Sequence, residues 1–144
     1  MAILVALTAC GAAGSDLSSQ KAWARPALST TGIEGGANLT AVYLTLENRG
    51  NQSERLVNAT TEVAATAEIH ETQTGGGLAT MRRVDFVEIP ANSAVRFRPG
   101  GYHIMLTNLK RDLVIGQTFT LTLQFDSGKT LQVVVSVQED PPSS

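Results

Sequence analysis

The chain has 144 residues, of which 11 are basic and 13 acidic, and its formal charge is -2. This length fits one domain with its own hydrophobic core. No cluster of Lys or Arg could follow a phosphate backbone, which argues against a nucleic-acid partner, and no apolar run approaches the roughly 20 residues that a membrane-spanning helix requires.

The first twenty residues have the pattern of an exported lipoprotein. An apolar run over residues 1–7 precedes small residues and the chain's single cysteine, in the order Thr8-Ala9-Cys10-Gly11. We therefore expect residues 1–20 to be a signal peptide with a lipidation site and a flexible tether. The location would be periplasmic or otherwise extracytoplasmic, with membrane attachment only through a lipid at Cys10. The alternative is an apolar N-terminus with an incidental cysteine, because no basic residue begins the segment.

Residues 21–138 are expected to form one all-β domain, because apolar and polar residues alternate in short segments separated by turns. The clearest alternation covers 118–125 and, after Asp126-Ser127-Gly128-Lys129, 130–137, which predicts a C-terminal hairpin. The other predicted strands are 22–25, 41–48, 55–58, 66–70, 80–83, 86–89, 94–97 and 103–107. Many short strands favour a two-layer sandwich or a barrel. The end of the chain, 139–144, is predicted to be a disordered tail.

The scarce metal-binding side chains are confined to one quarter of the chain. The only histidines are His70 and His103, and the only methionines besides Met1 are Met81 and Met105. His103 and Met105 are two residues apart, so on a strand they project from the same face, with Ile104 turned into the core. A hairpin or wide loop with the glycines at 75–77 would bring Met81 back towards His70. This clustering predicts a shared metal site.

The ligand types select the metal. Thioether sulfur is soft and neutral and imidazole is borderline, so two of each favour Cu(I) over zinc, iron or magnesium. Because all four ligands are neutral, the bound copper ion keeps its single positive charge. This suits a carrier that must release the ion. Four further residues lie next to these ligands in the sequence: Glu71, Arg82, Arg83 and Tyr102. They are either ordinary surface residues or residues that orient a partner protein or hydrogen-bond a ligand imidazole.

The spacing of these four residues resembles the copper-ligand motif of the periplasmic PCu(A)C copper chaperones. The resemblance extends to the segments Ala22-Trp23-Ala24-Arg25-Pro26, Ala41-Val42-Tyr43-Leu44-Thr45-Leu46 and Arg98-Pro99-Gly100-Gly101-Tyr102-His103-Ile104-Met105. It implies a cupredoxin-like Greek-key β-sandwich that binds Cu(I) at an exposed site through His70, Met81, His103 and Met105. It also implies a chaperone that delivers copper to a cytochrome c oxidase subunit with a CuA-type centre, alone or beside a Sco-type chaperone. We expect the protein to be a monomer.

Other function classes fit the sequence less well. A blue-copper electron carrier needs a cysteine thiolate in its site, and the only cysteine is Cys10. No nucleophile motif or phosphate-binding loop predicts an enzyme. The remaining alternative is a secreted β-sandwich binding module in which the four residues have no metal role.

Overall fold

The computed structural model describes residues 16–29 and 38–143. Within these residues the chain forms ten β-strands and no helix, so none of its described segments is a helix that could cross a bilayer. The strands are β1 (Leu17–Ala24), β2 (Leu39–Asn48), β3 (Glu54–Thr61), β4 (Ala64–Gly75), β5 (Leu78–Arg83), β6 (Val87–Ile89), β7 (Ser93–Phe97), β8 (Tyr102–Leu109), β9 (Thr118–Phe125) and β10 (Thr130–Val137).

The C-terminal hairpin forms where the sequence alternates between apolar and polar residues. β9 and β10 pair antiparallel with the expected bounds. The four apolar residues of β9 are buried, whereas Thr118 and Thr120 between them are exposed. Apolar side chains at every second position can enter one core only if the backbone is extended, because successive side chains of a strand point to opposite faces. The predicted hairpin is therefore confirmed.

The strands form one hydrogen-bonded path that folds over into two layers. Its order is β5-β4-β8-β2-β1-β10-β9-β3-β6, and β7 pairs with the second half of β2. β3 contacts β4 although the two do not pair. Leu44 and Ile104 from one end of the path share a core with Leu121 and Val135 from the other. The prediction of an all-β sandwich is confirmed.

The folded domain begins earlier than the sequence indicated. Leu17 pairs with Asn48, and the pairing of β1 with β2 continues to Gln20. The expected tether through residue 20 is thus corrected to end before Leu17, because Leu17 is buried and residues 17–20 pair with β2. The cleavage-site prediction at Cys10 lies outside the described residues. A bulge follows at Lys21, which has a positive φ of 52° and shifts the register before Trp23.

The segment between His70 and Met81 forms a hairpin, which was one of the two expected connections. β4 runs to Gly75 and β5 starts at Leu78, so the two strands are joined by Gly76 and Gly77 alone. Both glycines have positive φ, 59° and 79°. A two-residue hairpin turn of this kind needs positive φ at both positions, which glycine adopts without steric cost. The two glycines therefore permit the tight turn that sets the register of this hairpin.

Candidate metal centre

The four predicted ligands lie on one face of three adjacent strands, β5, β4 and β8. His70 on β4 is directly opposite His103 on β8. Met105 is opposite Glu68, two residues before His70, and Met81 is opposite Thr72, two residues after it. Both methionines are therefore diagonal neighbours of His70, at roughly 7–8 Å, within reach of long side chains. The strand pairing thus places all four residues that the sequence singled out on one face, with the two histidines opposite each other and one methionine on either side of His70.

The two imidazole rings face each other with one unpaired nitrogen each. Their centroids are 5.7 Å apart at 62°. His103 Nδ1 lies 3.2 Å from the carbonyl oxygen of Gly101, to which it must donate, since a carbonyl only accepts. His103 Nε2 is then a bare lone pair, and it is buried without a hydrogen-bond partner. Such a buried, unsatisfied acceptor is costly unless something binds it.

His70 is held in the opposite tautomer. Its Nε2 lies 3.0 Å from Glu68 Oε2 and donates to that carboxylate, whereas its Nδ1 is buried and has no hydrogen-bond partner. Arg83 Nη1 is 3.9 Å from the other Glu68 oxygen. A carboxylate on the far nitrogen fixes the orientation and the tautomer of the ring. The geometry therefore presents His70 Nδ1 and His103 Nε2 as the two available nitrogen donors.

Burial divides the site into a closed and an open side. His103 and Met105 are 3% and 8% exposed, while Met81 on the edge strand β5 is 61% exposed. The expected exposed site is thus open at Met81 and closed at His103 and Met105, because β2 and β4 flank β8 on both sides. Burial lowers the pKa of His103 below its usual value, with a smaller lowering from His70, although the Gly101 carbonyl opposes the shift. His103 accordingly stays neutral and able to coordinate in mildly acidic solution.

Aromatic rings extend the site across β2 to β1. Tyr43 lies 6.3 Å from His103, and Trp23 lies 5.0 Å from Tyr43, between ring centroids. Burial raises the pKa of the Tyr43 phenol, with Arg25 opposing it. The phenol therefore stays neutral beside the histidines. These rings form the wall of the site on the side away from β5.

Sequence reasoning missed Glu68 and chose Glu71 instead. Glu71 accepts hydrogen bonds from Arg82 at 2.9 and 3.2 Å and does not contact an imidazole. The signal was available, because a residue two positions before His70 on a strand shares its face, by the same rule that paired His103 with Met105. Applied to the predicted strand 66–70, this i, i+2 rule places Glu68 beside His70.

Among the described residues, no three His, Cys, Asp or Glu side chains are grouped so that they could hold a metal ion. The thioethers of Met81 and Met105 lie on the same face as the two free nitrogens and are the candidates for further ligands of a metal bound there. Such a donor set is neutral and soft, and it fits Cu(I) in preference to harder ions.

Comparison with known proteins assigns the chain to a family. Residues 17–137 match the LpqE-like family, described as "Putative lipoprotein LpqE-like". The chain belongs to the LpqE-like family. A relative from Leifsonia xyli subsp. xyli, "Putative lipoprotein Lxx21020", is 34% identical over 150 residues, which cover 96% of this chain and 86% of the relative.

Solved structures extend the likeness from this LpqE-like chain to copper proteins. The solution structure of Cu(I)-bound DR1885 from Deinococcus radiodurans is 32% identical, with a TM-score of 0.65 over 90% of this chain and 84% of DR1885. The apo PCuAC domain from PmoF1 is 21% identical, with a TM-score of 0.67 over 87% of this chain and 95% of the domain, and this likeness shows the fold alone. The resemblance to the PCu(A)C family and the cupredoxin-like Greek-key fold are confirmed.

Proposed function

We propose that this protein is an extracytoplasmic metallochaperone that binds one Cu(I) ion through His70, Met81, His103 and Met105 and passes it to an acceptor protein. The observation that carries the proposal is the pair of buried, unpaired nitrogens, His70 Nδ1 and His103 Nε2, beside two methionines on the same face. The relative DR1885 was solved with Cu(I).

Each residue has a distinct part in this proposal. His103 and Met105 form the buried floor and hold the ion away from water. His70 supplies the second nitrogen, and Glu68 keeps its Nε2 protonated, so that Nδ1 remains free to bind copper. All four ligands are neutral, so the carboxylate of Glu68 is the nearest negative charge that compensates the bound ion. A site without thiolates binds Cu(I) firmly but releases it to a stronger acceptor.

The open side of the site suggests how copper would leave. All six residues of β5 are exposed, and Met81 is on this strand at the edge of the sheet. An acceptor ligand that approaches over β5 would displace the Met81 thioether first, while His103 and Met105 still hold the ion. Stepwise exchange of one ligand at a time avoids releasing free copper. We propose that the acceptor is a cytochrome c oxidase subunit with a CuA-type centre or a Sco-type chaperone.

The location belongs to the same proposal. The family and the Leifsonia relative are both named as lipoproteins. We propose that Cys10 carries the lipid and that the protein works as a monomer tethered at a membrane surface outside the cytoplasm.

The binding test is a Cu(I) titration under reducing, anaerobic conditions in competition with a chromophoric chelator. The wild type should bind one equivalent, and Met81→Leu combined with Met105→Leu should bind at least a hundredfold more weakly. Leucine keeps the side-chain volume while removing both sulfurs. Equal affinity in the double variant would show that the thioethers are not ligands, and absence of Cu(I) binding by the wild type would leave a binding module without a metal role.

Delivery needs a separate measurement. The copper-loaded protein is mixed with the apo form of a soluble CuA domain, the two are separated by ion exchange, and the copper in each is measured. Most of the copper should move to the acceptor within minutes. Copper that stays with this protein would refute the choice of acceptor while leaving Cu(I) binding intact.

A further inference from the structure

Beyond the aromatic rings, the face that carries the metal centre continues into a separate depression. This cavity of about 340 Å³ lies where β1, β2 and β7 meet. It is lined by Gln20, Trp23, Thr45 and three basic residues, and the chain end at Pro141 and Pro142 forms one wall. Thr45 pairs with Gln20 on one side and with Arg96 on the other, so these residues point to the same face as Tyr43. We name this cavity the basic pocket.

The basic pocket concentrates positive charge that is not neutralised. Its cations are Lys21, Arg96 and Arg98, all exposed, and none of them forms an ion pair with a carboxylate of the described residues. Glu47, on the same face of β2 as Thr45, is already hydrogen-bonded to Gln20 at 2.7 Å and to Arg49 at 3.0 Å. In a chain with a net charge of -2, three cations around one cavity that have no carboxylate partner among the described residues are a local exception.

The pocket is joined to the metal centre through two aromatic rings. Trp23 lines the pocket and also contacts Tyr43, which in turn contacts His103. Arg25 lies over the outer side of the Trp23 ring, 5.7 Å from its centroid, and adds a fourth positive charge beside the pocket. A partner seated in the pocket would therefore lie next to the copper ligands on the same face.

We propose that the basic pocket is the docking point for an acidic segment of the protein that accepts the copper. This inference rests on the proposed function for the identity of the partner. Carboxylates of the partner would pair with Arg96 and Arg98, whose planar guanidinium groups match carboxylate oxygens in bidentate fashion. Long-range attraction would speed the encounter and fix the orientation of the two proteins, which charge complementarity does more effectively than it raises affinity.

The charges around β5, at the opposite end of this face from the basic pocket, support docking at the pocket. Arg82 pairs with Glu71, and Arg83 lies near Glu68, so the cations around β5 are already balanced by carboxylates. An acidic partner would thus be drawn to the pocket, leaving β5 and Met81 uncovered for ligand exchange. A concave pocket walled by prolines also suits a protruding peptide segment better than a flat lipid surface.

The test uses a hexaglutamate peptide as the probe and Trp23 as the reporter, since it is the only tryptophan in the chain. Peptide binding is followed by Trp fluorescence in low salt, for the wild type and for Arg96→Gln combined with Arg98→Gln. The matched control is Lys110→Gln combined with Arg111→Gln, which removes the same charge from exposed positions outside the pocket.

The pocket variant should bind the peptide at least tenfold more weakly than the wild type, and the control should stay within twofold. Affinity should fall steeply as salt is added. An equal loss in both variants would reduce the effect to net charge and overturn the proposal, as would no binding by the wild type. Binding to phosphatidylglycerol vesicles that needs Arg96 and Arg98, without binding to the peptide, would assign the pocket to a lipid surface instead.

Cu(I) affinity is measured on the same proteins to separate the two proposals. The pocket variant should keep the wild-type Cu(I) affinity, because neither arginine is a ligand, but transfer copper more slowly to an acidic acceptor domain. Unchanged transfer would overturn docking at the pocket while leaving the metal site intact. Loss of Cu(I) binding by the wild type would instead refute the proposed function.

Discussion

The two methionines of the site should respond differently to truncation, because one is exposed and the other is buried. Met81 is 61% exposed on an edge strand and Met105 is 8% exposed on β8. Met81→Ala and Met105→Ala should both weaken Cu(I) binding by at least tenfold, which corresponds to a loss of about 1.4 kcal/mol or more. Only Met105→Ala should also destabilise the apo protein.

The size of that destabilisation follows from the environment of Met105. Removing a buried methionine side chain costs about 2–5 kcal/mol, through lost burial and the cavity left behind. Met105 is opposite Ala41 and Glu68 on the outward face rather than in the central core. The surroundings there can relax, so we expect the lower end, about 2 kcal/mol. Met81→Ala should stay within about 0.5 kcal/mol of the wild type, as exposed positions do.

Urea unfolding of the apo proteins, with Cu(I) competition on the same samples, measures both effects. With a urea dependence of about 2 kcal/mol per molar, Met105→Ala should lower the midpoint by about 1 M. Met105→Leu is the control, because it restores the volume and most of the stability without restoring the sulfur. Equal stability of the two alanine variants, or wild-type Cu(I) affinity in Met105→Leu, would refute the reasoning.

Three further predictions concern charged groups. Glu68→Gln should weaken Cu(I) binding several-fold and alter the tautomer of His70 in nitrogen NMR spectra of the apo protein; an unchanged tautomer would contradict its positioning role. Because burial holds the pKa of His103 below its usual value, the His103 ring of the apo protein should take up a proton only below about pH 6.5, as followed by NMR of its imidazole signals. A His103 ring that is already protonated at pH 7.5 would contradict this. Hydrogen bonds from Lys129 and Ser127 lower the pKa of the Glu54 carboxyl, so the unfolded chain binds more protons below about pH 4.5, and stability is lost as the pH falls through the folded pKa. Lys129→Met should therefore lower the urea midpoint at pH 7 and make a much smaller difference at pH 3; the same difference at both pH values would exclude the ion pair as its cause.

The sequence by itself determined the strands and the ligand candidates. Period-two alternation located the two strands of the C-terminal hairpin with correct bounds at both ends, because a half-buried strand alternates between apolar and polar residues. The i, i+2 rule placed His103 and Met105 together with Ile104 in the core, and Ile104 is fully buried. Ligand softness then selected the metal. All of these are properties of one segment at a time.

Only the tertiary structure decided which segments meet and what covers them. The Gly76-Gly77 turn sets the register that places Met81 diagonally from His70, and the pairing of β4 with β8 places the two histidines opposite each other. Burial of Met105, the bond from Glu68 to His70 and the basic pocket next to Trp23 all depend on contacts between strands distant in sequence. Such contacts produce no periodic pattern in the sequence of any one strand, because they depend on the order of the strands in the sheet.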